Sequence, residues 1–567
     1  MSGKWVRQYQ NSSRATPSTA YCFLYLAVFI FVGFFLHIDI SRWSLVLAFV
    51  SYAAAGLLYK LIKRVGKTKL LLYVSSVIIT ALLFWGLTSV FGQTYDTSYD
   101  GQDYHQSAVI ELASQWNPIY QKSPPIKLVN KIDEPLISGY AKIIWSIDSS
   151  IYKLTDNIDS VTVLNFIVGL LAFSFLYQAL RKLWLTAYPA IGVAFLATVT
   201  TLFVEQLFTL REDSLSYGFL IIGISSLVLS LRSSNKLPYF LCLMTALVFL
   251  AGIKDSDVFI FLPLLAVSLY VVLMKKLYQL NSFKIAVVLG LLAAFVTLFN
   301  PYVTNIIRYG AVDYPYNQQS FTNALRYEGV PHNLSHDGRL KLFYYGIFST
   351  ALIGSEQNPA SNAQLKLPLT FSGNELLTEA SAPAKLVGGY GVLFSGIFVL
   401  SSVAYIYLVI RRKSKAEKTI VIWLCAVLGL IIASCLLSPT PNYARYGNQL
   451  YLFPVAVVVA LLIIAKEKWQ LEKILAVVLI VLMAENIALD VVTASLLRAQ
   501  EFTTINGQLS SLKQADATYA VHASDFYSSY LRLEAHGVKI VISPQSLDCN
   551  NKIALDETFN STTLCKL

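Results

Sequence analysis

The sequence predicts an α-helical polytopic membrane protein of about 13 transmembrane helices, with interfacial amphipathic helices and a small extracytoplasmic α/β region at its C-terminus. Three observations predict it. Hydrophobic residues make up 55% of the 567-residue chain and charged residues only 14%, too few to cover a soluble protein of this length. Mean hydropathy is +0.56. Runs of about 20 apolar residues recur, the length needed to cross about 30 Å of hydrocarbon. The runs are continuous rather than alternating. That excludes a β-barrel and requires each segment to satisfy its backbone internally, as a helix.

Taken in chain order, the expected spans are 20–38, 43–61, 70–91, 160–180, 186–204, 215–231, 237–253, 257–274, 284–303, 389–410, 418–437, 450–465 and 472–492. The first is too long and too far from the N-terminus for a cleaved signal peptide. Basic residues cluster between alternate spans. They are Lys4, Arg7 and Arg14; Lys60 to Lys69; Arg181 and Lys182; Arg232 and Lys236; Lys275, Lys276 and Lys284; Arg411 to Lys418; and Lys466 to Lys473. If every span is counted correctly, all these clusters share one side. By the positive-inside rule that side is the cytoplasm. The net charge of +11 therefore reads as a topology signal rather than a nucleic-acid-binding face. The chain is expected in an inner or plasma membrane, N-terminus cytoplasmic and C-terminus extracytoplasmic.

The other side receives two long loops, 92–159 and 304–388, the shorter loops 205–214, 254–257 and 438–449, and the tail from about 493. Two domains follow: residues 1–492, polytopic and carrying the chemistry, and residues 493–567, a small appendage. In the appendage Thr518 to Ala523 reads as a strand, Ser524 to His536 as a helix and Val538 to Ile542 as a strand. Cys22, Cys242, Cys425 and Cys435 lie in apolar runs and read as small buried hydrophobes. Cys549 and Cys565 lie in the outward tail, where an oxidising compartment permits a disulfide across a short loop.

Four outer clusters carry the chemistry. The first opens the long loop after the third span, Gln93 to Gln106, and holds Asp96, Asp100, Asp103 and His105. Gly101 lets the chain turn after Asp100. An amphipathic helix is expected next, with Tyr104, Ala108, Ile110, Leu112 and Trp116 as apolar contacts, ended by Asn117-Pro118. A carboxylate at the lipid–water boundary suits a general base; the bland alternative is a solvated loop acid. The second cluster is Arg211-Glu212-Asp213, in a loop too short to leave the membrane plane. It can position an acceptor, hold a cation or orient a lysine. The third is Lys254-Asp255-Ser256-Asp257. Lys254 sits at the edge of an apolar run, where its charge must snorkel or pair; it pairs with Asp255 or meets a lipid phosphate. The fourth runs from Pro439 to Gln449 and holds Arg445, the basic residue of that loop, between Tyr443 and Tyr446. A guanidinium there suits a phosphate, or pairs with a loop acid. His332, His336 and Asp337 read as loop residues rather than metal ligands. Asn333-Leu-Ser and Asn560-Ser-Thr match glycosylation acceptors, a pattern too common to use.

This arrangement resembles the GT-C superfamily of membrane glycosyltransferases. The segment Tyr99 to His105 is similar to the acidic first-loop motif of bacterial members. Asn300 to Val303 with Tyr309 to Pro315 is similar to the segment after a late span, and Tyr443-Ala-Arg-Tyr446 to the Arg-Tyr before a terminal span. Three spans precede the loop that members place after their first; with two of them read as an N-terminal addition, the rest aligns. The resemblance covers most of residues 1–492 and does not extend to the tail.

The resemblance implies a polyprenyl-phosphate-linked sugar as donor and a glycan, lipid or protein as acceptor. It implies inverting displacement with Asp100 as the catalytic base, and Asp103 next in line. Arg445, Lys254, Tyr446, His105, Glu212 and Asp213 are the expected substrate-binding residues. No metal ligand set is assigned, and a divalent cation stays open. The rival reading is a lipid-linked glycan transporter, flippase or polymerase-like protein. A transporter would place charge along its spans, whereas these acids collect at one end.

Overall fold

The computed structural model describes residues 15–126, 134–183, 185–318, 330–353, 362–381, 385–411, 414–438, 440–465, 471–523, 526–543, 545–549, 551–555 and 562–567, the side chains of 15–19, 415 and 416 aside. Lys4, Arg7 and Arg14, residues 466–470, Pro439, Ser524 and the acceptor at Asn560 lie outside the described residues.

Each of the thirteen apolar runs falls on a helix, but the helices are not alike. Among the described residues, eight are long and apolar enough to cross a membrane: Ser44–Ile62, Lys67–Phe91, Ile158–Lys182, Asp213–Arg232, Asp255–Met274, Phe394–Arg411, Glu417–Leu437 and Leu471–Gln514. A further pair, Asn281–Thr297 and Phe299–Tyr309, qualifies together and is bent by 57°. The bend follows from Pro301, which has no N–H to continue the ladder, and from Asn300, whose φ of −102° and ψ of 125° are extended. The remaining four are shorter apolar helices: Ala20–Phe35, Ala187–Thr198, Leu237–Gly252 and Asn448–Ile464.

Local chemistry sets several boundaries. Ser414 and Glu417 form a reciprocal capping box at the start of Lys415–Leu437. The Thr200 hydroxyl caps Thr201–Gln206 by accepting from the Phe203 N–H. Pro238 lies in the first turn of Leu237–Gly252, where its missing N–H costs nothing. The Asp213–Arg232 helix is buried along most of its length, packed between its neighbours. Lys67–Phe91 instead turns Leu71, Leu72, Ile78, Ile79, Leu82 and Leu83 outward. An apolar face of that size is at home against hydrocarbon.

The first long loop departs from expectation. The helix there, Gln106–Ala113, has all eight residues buried, Gln106, Ser107 and Glu111 included. It is an interior helix, not one lying on the membrane surface. It ends before Asn117-Pro118, where Gln115 takes a φ of 72°. Its apolar residues pack against Ile143–Thr155, whose residues 143–151 are all buried.

The tail agrees with its expected strand–helix–strand order: Thr518–His522, Ser528–Ala535 and Lys539–Ile542. Two further strands, Ile553–Ala554 and Thr563–Lys566, complete a four-stranded sheet. Thr518–His522 lies centrally, parallel to Lys539–Ile542 and antiparallel to Thr563–Lys566. A disulfide joins Cys549 to Cys565. The 44-residue helix Leu471–Gln514 continues past the apolar run into the tail, and its Ile505, Leu509 and Leu512 enter the tail's core beside Tyr95 of the first loop.

Candidate functional site

The four clusters, far apart in sequence, meet around one small cavity. Asp100, Tyr104, His105 and Tyr140 come from the first loop. Arg211, Glu212 and Asp213 come from the turn that opens Asp213–Arg232. Lys254 comes from the turn before Asp255–Met274, and Arg445 and Tyr446 from the turn before Asn448–Ile464. Topology explains the convergence. Helices Asp213–Arg232 and Leu237–Gly252 are joined by a short turn at their far ends, which returns Lys254 to the end that carries Asp213.

Asp100 sits at the centre of the charges. Its Oδ2 takes Arg211 Nη2 at 3.1 Å and Arg445 Nη1 at 2.7 Å. Burial works against the carboxylate's charge, but Arg211 and Arg445 outweigh it and hold the carboxyl well below the usual carboxylate range. Lys254 pairs with Asp213 and, at 4.0 Å, with Asp257, not with its neighbour Asp255 as the local sequence suggests. Burial would lower the Lys254 ammonium; Asp213 and Asp257 raise it instead, so it stays charged. Lys254 also lies 5.0 Å from the centre of the Tyr446 ring, and Arg445 4.9 Å from it. Arg445 donates to the Tyr446 hydroxyl at 3.2 Å.

His105 meets Trp145 edge-on. Its Nδ1 accepts from Trp145 Nε1 at 2.9 Å, so Nδ1 carries no proton. Burial pushes this imidazole down to about 3, and it is neutral at physiological pH. Asp103 is buried in the π-turn Gly101–His105 but does not line the cavity. Glu212 does line it, and burial followed by the neighbouring Asp148 pushes its carboxyl well above the ordinary range.

Asp96 has a structural task. Its Oδ1 accepts from the Ser98 N–H and hydroxyl, and its Oδ2 from the Leu210 N–H at 2.7 Å. One carboxylate thus ties the segment bearing Asp100 to the turn bearing Arg211. Gly101 serves that contact rather than a turn. It sits inside the π-turn, and a Cβ there would collide with the Asp96 carboxylate and the Ser98 hydroxyl. The tail joins the same network. Arg532 grips Asp159 through Nε at 2.9 Å and Nη2 at 2.5 Å, and donates to Gln102 Oε1 and the Asp96 carbonyl. Asp159 in turn accepts from the Asp96 N–H at 3.1 Å.

No protein-family model, no curated protein and no solved structure matches the chain. The site is therefore read from its own geometry. Seven of the eight residues expected from the sequence line one cavity: Asp100, His105, Glu212, Asp213, Lys254, Arg445 and Tyr446. Asp103 does not. Arg211, Tyr104 and Tyr140 line the cavity without having been singled out as binding residues. Arg211 carried the same signal as Arg445, a basic residue in a loop on the sparsely basic side. The tyrosines carried none, since aromatic residues are common near membrane surfaces. Among the described residues, no group of three or more His, Cys, Asp or Glu side chains is placed to hold a metal ion.

Proposed function

We propose that this chain is a membrane glycosyltransferase that moves a sugar from a polyprenyl-phosphate carrier to an acceptor on the extracytoplasmic side. In this reading all thirteen apolar helices cross or enter the bilayer of an inner or plasma membrane. The N-terminus is cytoplasmic and the tail outside.

One observation carries the reading: Arg211, Lys254 and Arg445 meet three carboxylates, Asp100, Glu212 and Asp213, in one cavity where helices end. A sugar phosphodiester carries one negative charge, and the lipid phosphate that leaves carries more. Fixed cations therefore favour the departing state over the bound one. Arg445 is built for such an anion, because its planar fork can hold two phosphate oxygens. Tyr446 and Tyr104 give the sugar ring an aromatic wall. The carboxylates supply a proton acceptor for the attacking hydroxyl. A site at helix ends lets the carrier's tail stay in hydrocarbon while its head group enters the cavity. Inverting displacement needs a base but no protein nucleophile, so no covalent glycosyl-enzyme forms.

The test uses purified full-length protein in lipid nanodiscs. It is offered a panel of polyprenyl-phosphate sugars with lipid, glycan and peptide acceptors, and release of polyprenyl phosphate is measured. Turnover of at least one donor, lost in Arg445→Ala, is expected. If no donor is turned over with any acceptor, the transferase reading fails.

A further inference from the structure

The three carboxylates on the cavity wall are partnered differently. Asp100 gives Oδ2 to two guanidinium groups. Asp213 gives Oδ1 to Lys254 and Oδ2 to the Gln206 amide at 2.8 Å. Glu212 is 2% exposed, and neither of its oxygens has a hydrogen-bond partner among the described residues. Asp148, whose charge acts on Glu212, is 4% exposed, and its Oδ1 likewise lacks a partner among them. The other charges acting on Glu212 are Lys254, Asp257 and Asp213. Lys254 is already shared between the two aspartates.

A carboxylate that accepts from two arginines has little appetite for a further proton. A buried carboxylate with no donor and a second acid's charge acting on it has the opposite character. We infer that Glu212, backed by Asp148, takes the proton from the acceptor hydroxyl, while Asp100 holds Arg211 and Arg445 in place for the phosphate. The inference rests on the transferase reading. Two carboxyls whose surroundings drive their proton affinities apart are a recurrent sign of divided labour. Burial and Asp148 raise Glu212, and the arginines lower Asp100.

The step balances. The acceptor oxygen forms its bond to the anomeric carbon as the bond from that carbon to the phosphate oxygen breaks. The bonding pair leaves on the phosphate, which gains one negative charge against Arg445 and Arg211. The hydroxyl proton moves to Glu212 in its ionised form, the form populated along the rising limb of the pH profile; Glu212 becomes neutral, and the proton is later lost to water.

Two measurements on the full-length protein test this. The first needs no substrate: pH-difference infrared spectroscopy of the solubilised protein. A neutral-carboxyl stretch that fades as the pH is raised is expected in wild type, diminished in Glu212→Gln and kept in Asp100→Asn. Its absence from wild type, or its indifference to Glu212→Gln, overturns the assignment. The second is the pH profile of polyprenyl-phosphate release from whichever donor the wild type turns over. Glu212→Gln should lower kcat/KM by about 10²- to 10⁴-fold, with Glu212→Asp recovering part of it. Asp148→Asn should keep turnover but move the rising limb to lower pH, because the acid that discourages ionisation of Glu212 is gone. A limb that vanishes in Asp100→Asn and persists in Glu212→Gln returns the role to Asp100. Wild-type failure on every donor defeats the transferase reading, whereas the infrared result speaks to Glu212 alone.

Discussion

Arg445 and Lys254 both bring positive charge to the cavity, but only the guanidinium can serve Asp100 and a phosphate oxygen together. Arg445→Lys keeps the charge and loses the fork. It is expected to cut transfer by about 10- to 100-fold, the worth of a charge-assisted hydrogen bond of about 1.5–3 kcal/mol, with most of the effect in kcat if the contact tightens as phosphate departs. Steady-state kinetics with varied donor check this, and unchanged kcat in Arg445→Lys removes the fork from the argument. His105 gives a second residue-level test. Its folded-state value of about 3 lies below the ordinary value of about 6.5, so the unfolded chain binds the proton more readily. Stability from this residue is present above about 6.5 and is lost as pH falls towards 3. Wild type should lose more melting temperature between pH 7 and pH 5 than His105→Gln, which keeps an acceptor for Trp145. Equal losses would show that His105 titrates normally. At this scale the sequence was readable at Arg445, which meets an acid of another loop, but not at Lys254, whose ammonium goes to Asp213 and Asp257 rather than to the adjacent Asp255. It was not readable for Gly101, because the carboxylate and hydroxyl that forbid a side chain there are held by a bond to Leu210, over a hundred residues away.

Elements were legible wherever one pattern dominated. Continuous apolar runs gave helices, and short runs in the polar tail gave Thr518–His522 and Lys539–Ile542. Gln106–Ala113 misled because its polar residues read as a wet face. In the structure that face meets other protein: the Glu111 carboxylate accepts from the Ile126 N–H at 3.1 Å. The tail's role was equally hidden, since nothing around Arg532 announces a partner at Asp159. Both side chains of that pair are 3% exposed. Arg532→Ala strands a buried carboxylate and should cost about 3–5 kcal/mol of the docking between tail and first loop. Limited proteolysis should then release the tail, and turnover should fall although Arg532 does not line the cavity. A tail as resistant as wild type would refute the strut. The disulfide acts within the tail. It closes a loop of 16 residues, worth about 3 kcal/mol through the unfolded state. Cys549→Ser should lower the tail's resistance to protease while leaving the Arg532 contact, and hence turnover, largely intact. Mass spectrometry of unreduced protein should find both thiols oxidised.

At the scale of the whole molecule, two independent lines meet. Basic clusters recur between alternate apolar runs, and the acids and arginines of the intervening turns come together in one cavity. Ends that touch must share a side. The pairs Asp100–Arg445, Asp100–Arg211 and Lys254–Asp213 therefore fix the ends of helices Lys67–Phe91, Asp213–Arg232, Asp255–Met274 and Asn448–Ile464 on one face. Between consecutive members of this set the number of apolar runs is such that each returns to the same side, counting the bent pair and the short helices as crossings. A short helix of 12 residues such as Ala187–Thr198 spans only about 18 Å, less than the hydrocarbon. Thr201–Gln206 follows it after a two-residue break and leads towards Arg211; the proposed topology counts the two helices together as one crossing. In the proposed topology, one crossing more or fewer between residues 100 and 211 would put Asp100 and Arg211 on opposite faces, which is incompatible with their 3.1 Å contact. Accessibility tests the orientation that contact leaves open. Single cysteines introduced at Lys418 and Lys341, in a background where Cys22, Cys242, Cys425 and Cys435 are serine, are exposed to an impermeant thiol reagent on intact cells. Labelling at 341 and none at 418 until the membrane is opened is the expected pattern. The reverse would turn the molecule over, place the cavity in the cytoplasm and end the case for an outward-facing transferase. Labelling of both positions on intact cells would break the alternation itself.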